Sequence, residues 1–171
     1  MVYMERVIYL AGGCFWGLEK AFQALNGVID TSVGYANGNC EDPTYELVKT
    51  NTTDFRETVR IVYDDSIISL NKLLKAFFIC VDPQQSDGQK HDIGTQYLTG
   101  VYYCDDGDLE EIRDYFDEER KKYREFHTEY KKLENFYTAE EYHQDYLIKN
   151  PDGYCHITSQ EYEAVRKLNE E

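Results

Sequence analysis

The sequence has no apolar run long enough to span a bilayer, and its first residues do not form a secretory signal peptide. We therefore expect a cytoplasmic protein with no membrane partner. Basic residues are in the minority: 18 Lys and Arg stand against 33 Asp and Glu, for a net charge of −15. Because so acidic a chain repels phosphate groups, nucleic acid is not an expected partner.

Common metal-binding motifs are also missing. The chain contains neither Cys-x-x-Cys nor His-Glu-x-x-His, and five cysteines are scattered along it, at Cys14, Cys40, Cys80, Cys104 and Cys155. We expect no metal and no other cofactor. An odd number of cysteines without a secretory signal disfavours a disulfide framework and favours redox or catalytic use of a thiol.

No repeat, low-complexity linker or change in composition divides the sequence, so we expect one monomeric domain over residues 1–171. Alternating residues predict strands over 29–35, 57–63 and 98–104. Helical spacing predicts helices from residue 15, from a Ser69 cap, and over 108–125. Thr138-Ala139-Glu140-Glu141 resembles a capping box and predicts a final helix to Ile148. This mixture predicts an α/β domain.

One cysteine lies where an apolar run meets a helical pattern, in the segment Gly13-Cys14-Phe15-Trp16-Gly17. Cys14 is therefore predicted in the first turn of a helix, where unpaired N–H groups and the helix dipole favour a thiolate. The alternative is a buried structural cysteine. The flanking glycines, the helix start and the adjacent aromatic pair favour a nucleophile.

Glu57 is the candidate proton donor. It shares a strand face with the apolar residues Val59 and Ile61, so burial should raise its pKa. A carboxylate that turns to water, or pairs with Arg56 or Arg60, fits the pattern equally well.

The segment around Cys14 resembles the signature of the class A peptide-methionine sulfoxide reductases. Other motifs of that family follow in its order over about residues 5 to 157: Gly34-Tyr35, Pro43-Thr44-Tyr45, Glu57-Thr58-Val59-Arg60-Ile61, Asp82-Pro83, Asp92-Ile93-Gly94-Thr95-Gln96-Tyr97, Tyr142-His143-Gln144 and Gly153-Tyr154-Cys155. The resemblance implies a ferredoxin-like two-layer sandwich with a mainly antiparallel sheet and a mobile C-terminal segment. It also implies a peptide-methionine (S)-S-oxide reductase that repairs oxidised proteins.

The resemblance implies roles for the matched residues. Cys14 would attack the sulfoxide sulfur while Glu57 protonates the oxygen. Phe15 and Trp16 would hold the S-methyl group, so that the S epimer of methionine sulfoxide, free or in proteins, is the substrate.

Three further residues would complete the oxygen side of the site. Tyr45 and Tyr97 resemble the family's pair of hydrogen-bonding phenols, which bind substrate together with Glu57. Asp92 resembles its active-site aspartate, and we expect it to orient the pocket without transferring a proton.

Attack leaves a sulfenic acid on Cys14, which must then be reduced. The resemblance implies that Cys155 resolves it as a disulfide and that thioredoxin or another thiol reduces this disulfide. Cys40, in a polar loop, is an alternative resolving thiol. Cys80 and Cys104 are interpreted as structural. One departure from the family pattern is His156, which follows Cys155 where a glycine is usual.

Two other functions use fewer of these residues. A cysteine hydrolase would pair Cys14 with a histidine base, but none of the four histidines has a clear catalytic pairing in the sequence. A non-catalytic, tyrosine-rich binding module would tolerate the loss of Cys14.

Overall fold

The computed structural model describes residues 4–171. Its strands are β1 (Glu5–Ala11), β2 (Val28–Ala36), β3 (Arg56–Asp64), β4 (Gly88–Gln89), β5 (Asp92–Ile93), β6 (Gly100–Tyr103), β7 (Glu129–Lys132) and β8 (Phe136–Thr138). Its α-helices are α1 (Phe15–Gln23), α2 (Tyr45–Val48), α3 (Leu70–Cys80), α4 (Leu109–Arg120), α5 (Tyr146–Lys149) and α6 (Ser159–Lys167).

Six strands form one sheet in the order β7-β6-β1-β3-β2-β8, and β4 pairs with β5 separately. Within the large sheet, β1 is antiparallel to β3 and β6, and β2 is antiparallel to β3 and β8. The pairing of β6 with β7 is parallel. Helix α1 connects β1 to β2, and α3 follows β3. The ferredoxin-like, mainly antiparallel fold is therefore confirmed.

Strand alternation decides which side chains enter the core. On β3, Glu57, Val59, Ile61 and Tyr63 share one face and are all buried, as the period of two predicts. This face belongs to the main hydrophobic cluster, which also contains the inward stripes of α1 and α3. A smaller cluster covers the other face of the sheet, around Tyr9 and Tyr102. Glu57 therefore points into the helical layer.

The predicted final helix from residue 138 is wrong. Thr138 pairs with Gly34 as the end of β8, and Glu140 uses its carboxylate to accept hydrogen bonds from the Tyr35 hydroxyl at 2.8 Å and the Tyr45 N–H at 3.1 Å. Helical structure there is limited to a 3-10 turn at Glu141–His143 and to α5. The capping box would have joined Thr138 to Glu141, but Thr138 is held in the sheet by its pairing with β2.

A capping box does exist further along the chain. The Thr158 side chain accepts from the Glu161 N–H at 3.1 Å, and Glu161 accepts from the Thr158 N–H at 2.9 Å, which begins α6. The Ser69 cap of α3 is also present, since its hydroxyl accepts from the Lys72 N–H at 3.1 Å. Among residues 4–171, no helix is long and apolar enough to cross a membrane.

Candidate active site

Cys14 occupies the N-cap position of α1, directly after β1. The turn depends on Gly13, whose φ of 76° lies in the region that favours glycine. A Cβ at Gly13 would stand 2.9 Å from Nε2 of His156, so the position has no room for a side chain. The Cys14 side chain is buried, with 9% of its surface exposed. The turn thus holds a thiol at the helix start, inside the protein.

Burial dominates the electrostatics of this thiol. It raises the pKa of Cys14 well above the ordinary value, and the nearby Glu57 carboxylate raises it further. The Trp16 backbone N–H at the helix start lowers the pKa, but by less. The prediction of a thiolate stabilised by the helix is therefore wrong for this state: the donor is present, and desolvation outweighs it.

Alkylation tests this protonation state. We expect iodoacetamide to modify Cys14 at least about tenfold more slowly than the exposed Cys104 near neutral pH, because only the thiolate reacts. In Glu57→Gln, alkylation of Cys14 should be faster than in wild type above about pH 8, where a carboxylate would repel the thiolate. Peptide mass mapping of both cysteines measures the two rates, and an equal rate for Cys14 and Cys104 would contradict the raised pKa.

Glu57 is fully buried beside this turn. Oε1 accepts a hydrogen bond from the Phe15 N–H at 3.2 Å, and Oε2 accepts one from Nε2 of Gln96 at 2.9 Å. Burial raises the pKa of Glu57 to about 8, although both hydrogen bonds oppose the shift. The alternative of an exposed or Arg-paired carboxylate is wrong, since Arg56 pairs with Glu129 on the far side of the strand. Glu57 can hold a proton at neutral pH.

Tyr45 and Tyr97 lie close to each other and to both Glu57 and Cys14. Tyr45 begins α2, and Tyr97 ends a short 3-10 turn that starts at Thr95. Burial raises the pKa of Tyr45 to about 12 and that of Tyr97 still higher, and Glu57 and Cys14 raise both further. Both phenols therefore keep their protons and can donate hydrogen bonds next to Glu57 and Cys14.

Asp92 lies close enough to Cys14 and Glu57 to raise the pKa of each. Its Oδ2 accepts a hydrogen bond from the Tyr154 hydroxyl at 2.8 Å. Asp92 thus contacts the residue before Cys155, which links the pocket to the C-terminal segment.

The two aromatic residues after Cys14 have different environments. The Phe15 ring is 1% exposed and packs in the core at 5.9 Å from the Tyr35 ring. The Trp16 ring stacks on Tyr146 at 3.7 Å, and its Nε1 donates to Nδ1 of His143 at 3.0 Å. Phe15 is therefore a core residue beneath the site, whereas the partly exposed Trp16 ring forms one side of the site.

Four contributors to this site were missed in the sequence: Gln96, Glu140, His143 and Tyr154. Gln96, His143 and Tyr154 lie inside motifs that already stood out, so membership of those motifs was the available signal. The His143 ring lies 4.7 Å from the Tyr45 ring and 5.1 Å from the Phe15 ring. His143 therefore packs against the aromatic side chains of the site and holds the Trp16 ring in place.

Cys155 lies beside the start of α1. Its thiol donates to the Ile157 carbonyl at 3.5 Å, and it is a free cysteine that raises the pKa of Cys14. It lines a groove of about 400 Å³ between α1 and α6. Cys40 is half-buried and packs against the main cluster. Cys104 is exposed and Cys80 is buried, and the interpretation of both as structural stays a prediction.

The histidines do not form a Cys–His pair. Nδ1 of His143 accepts from Trp16, Nε2 of His143 and Nδ1 of His156 lack hydrogen-bond partners, and the His156 ring bonds to the Gly12 backbone. His91 and His127 are exposed. No histidine of residues 4–171 is therefore bonded to Cys14, which leaves a hydrolase without its base. Nor do these residues include a cluster of three or more metal-ligating side chains.

A cysteine at a helix start beside a buried carboxyl that keeps its proton is an arrangement suited to a thiol-dependent enzyme. A family model described as peptide methionine sulfoxide reductase matches residues 6–171. The chain belongs to the peptide methionine sulfoxide reductase family and is an enzyme of that kind.

Individual relatives agree with this family. "Peptide methionine sulfoxide reductase MsrA" from Clostridium perfringens is 53% identical over 155 residues, which cover 90% of this chain and 98% of the relative. Mxr1 from Saccharomyces cerevisiae in reduced form superposes with a TM-score of 0.85 at 38% identity, covering 90% of this chain and 91% of that one. The same yeast protein in complex with Trx2 gives a TM-score of 0.60 at 28% identity, covering 85% and 89%.

Proposed function

We propose that the chain reduces the S epimer of methionine sulfoxide, free or in proteins, with Cys14 as nucleophile and Glu57 as acid. The observation that carries this proposal is the buried Glu57 carboxyl, whose pKa of about 8 keeps it protonated beside the Cys14 thiol. A sulfoxide oxygen is a poor leaving group until it is protonated, so such an acid is what the reaction requires. One monomeric, cytoplasmic domain over residues 1–171 stays a prediction.

In the first step the Cys14 sulfur attacks the sulfoxide sulfur, and the oxygen passes to Cys14. The products are methionine and a sulfenic acid, so Cys14 is oxidised by two electrons and the substrate sulfur is reduced by two. Glu57 gives its proton to the oxygen as the S–O bond breaks, and the proton of the Cys14 thiol passes to the Glu57 carboxylate, which is protonated again. Tyr45 and Tyr97 donate hydrogen bonds to the same oxygen.

Selectivity for one epimer follows because one side of the site is apolar and the other carries hydrogen-bond donors. Trp16 offers an apolar wall for the S-methyl group, with Phe15 anchored beneath it, and the donors Glu57, Tyr45 and Tyr97 lie together. The opposite epimer would place oxygen against aromatic carbon and leave donors unpaired, at about 1–3 kcal/mol for each lost bond.

In the second step Cys155 forms a disulfide with Cys14. Support comes from its position beside the α1 start and its effect on the Cys14 pKa, whereas Cys40 has no comparable effect. Thioredoxin then reduces this disulfide, as the complex of the related yeast protein with Trx2 suggests. Asp92 orients the Cys155 segment through Tyr154.

A single-turnover assay without external reductant tests the proposal. We expect about one methionine per enzyme from the S epimer and none from the R epimer, with two thiols lost and mass mapping to a Cys14–Cys155 disulfide. Cys155→Ser should still form methionine once but should not form this disulfide, and Cys40→Ser is the matched control with both products. Failure to form methionine from either epimer would reject the reductase assignment, and a disulfide to Cys40 would reject Cys155.

A further inference from the structure

The imidazole of His156 is buried, with an exposed fraction of 5%, and its ring makes a hydrogen bond with the Gly12 backbone beside the Cys14 turn. Nδ1, on the other side of the ring, has no hydrogen-bond partner. Buried polar side-chain atoms nearly always have a partner in folded proteins, so this unpaired nitrogen calls for an explanation. The mechanism given above does not use this residue.

The ring lies along the first turn of α1, beside Gly13 and Gly17. Nε2 is 2.9 Å from the point where a Cβ on Gly13 would stand, directly before Cys14. Nδ1 is 3.3 Å from the corresponding point at Gly17, and the Cys155 sulfur is 2.9 Å from that same point. One nitrogen is therefore close to the Cys14 turn and the other close to the resolving thiol.

The surroundings keep this imidazole neutral. Burial lowers the pKa of His156 below its usual value; the Asp92 and Glu161 carboxylates oppose the shift, and Lys90 adds to it. Lys90 donates to the His156 carbonyl and pairs with Glu161 at 2.6 Å, so its charge is held at the backbone of this segment. The Cys155 sulfur and Nδ1 of His156 both lie beside Gly17. A neutral imidazole has one nitrogen that accepts and one that donates.

We propose that His156 relays the proton in the second step, when Cys155 attacks the Cys14 sulfenic acid. Nδ1 takes the proton of the Cys155 thiol, the new thiolate attacks the Cys14 sulfur, and the S–O bond of the sulfenic acid breaks. The leaving hydroxide takes the proton from Nε2 and departs as water. Cys155 is oxidised, Cys14 is reduced to the disulfide level, and no outside reactant enters. This relay rests on the proposed function of the two cysteines.

The test compares His156→Gln with His127→Gln, which changes an exposed histidine. The enzymes are mixed with one equivalent of methionyl S-sulfoxide, and methionine and the Cys14–Cys155 disulfide are quantified after rapid acid quenching. We expect His156→Gln to form the disulfide about 10²-fold more slowly than wild type near neutral pH, with methionine still formed first. His127→Gln should match wild type in both steps.

The pH profile separates a relay from a packing role. In wild type the rate of disulfide formation should be nearly level from about pH 6.5 to 8, because the relay removes the need for free thiolate. In His156→Gln it should rise about tenfold per pH unit, with the thiolate fraction. Parallel profiles, or a rate equal to wild type, would overturn the relay.

A second variant covers the case in which glutamine disturbs folding. His156→Gly leaves a space beside Gly13 and Gly17, and added imidazole should restore disulfide formation in proportion to its neutral form. Lack of rescue in a folded variant would also overturn the proposal. Failure of the proposed function gives a different result, since wild type itself would then form no methionine or no Cys14–Cys155 disulfide.

Discussion

Cys14→Ser is expected to abolish methionine formation, with a loss of at least about 10⁴-fold in the single-turnover rate. A serine hydroxyl in the same position is far harder to ionise and a much weaker nucleophile toward sulfur. The burial that raises the Cys14 pKa would act on serine as well. Rapid quenching with methionyl S-sulfoxide, followed by amino-acid analysis, measures the effect.

The control for this variant is Cys104→Ser, which removes an exposed thiol and should retain the full methionine yield. Thermal unfolding of both variants shows whether either change disturbs the fold. Stoichiometric methionine from Cys14→Ser would mean that another cysteine, with Cys155 the nearest candidate, performs the first step.

Glu57→Gln is expected to slow methionine formation by about 10²- to 10⁴-fold, the usual contribution of a positioned general acid. Glutamine preserves the size of the side chain and an acceptor for the Phe15 N–H, but it has no proton to give. The acid form of Glu57 exists below its pKa of about 8. The wild-type rate should therefore fall as pH rises through this value, and the decline should be missing in the variant.

The same pKa also predicts how the stability of the folded protein depends on pH. The folded-state pKa of Glu57 is raised above the unfolded value of about 4.5, so the folded protein binds the extra proton between that value and about pH 8. The protonated Glu57 carboxyl therefore contributes fully to the free energy of unfolding below about pH 4.5, and this contribution is lost as pH rises to about 8. Glu57→Gln lacks this loss, so its stability relative to wild type should increase across the window, by an amount on the order of 3–5 kcal/mol.

Urea unfolding at several pH values measures that difference. A variant that is slow and also unstable at every pH would point to a damaged fold and would remove the evidence for acid catalysis. A variant with the wild-type single-turnover rate would exclude Glu57 as the proton donor.

Local patterns predicted the elements whose formation depends on near neighbours. The apolar stripe of α3 and the serine hydroxyl before it specify that helix without distant contacts. The alternation on β3 likewise placed Glu57 among buried side chains, and the resemblance to a reductase family was confirmed by the family match. The roles of the matched side chains stay predictions.

The errors came where distant groups competed for the same atoms. Thr138 could have capped a helix with Glu141, but its backbone pairs with Gly34 as the end of β8 instead. Strands β7 and β8 were missed because their residues do not alternate clearly between apolar and polar, and they gain their stability by pairing with β6 and β2.

The sequence by itself determined the family, the α/β class and the residues able to do redox chemistry, because these depend on residue types, order and short-range spacing. Only the tertiary structure decided which site residues keep their protons and which residues lie next to them. Burial keeps the proton on Cys14 and Glu57, and chain folding brings His156 alongside the turn that carries Cys14. Desolvation and contacts between residues far apart in the chain are properties of the packed molecule, and no local pattern records them.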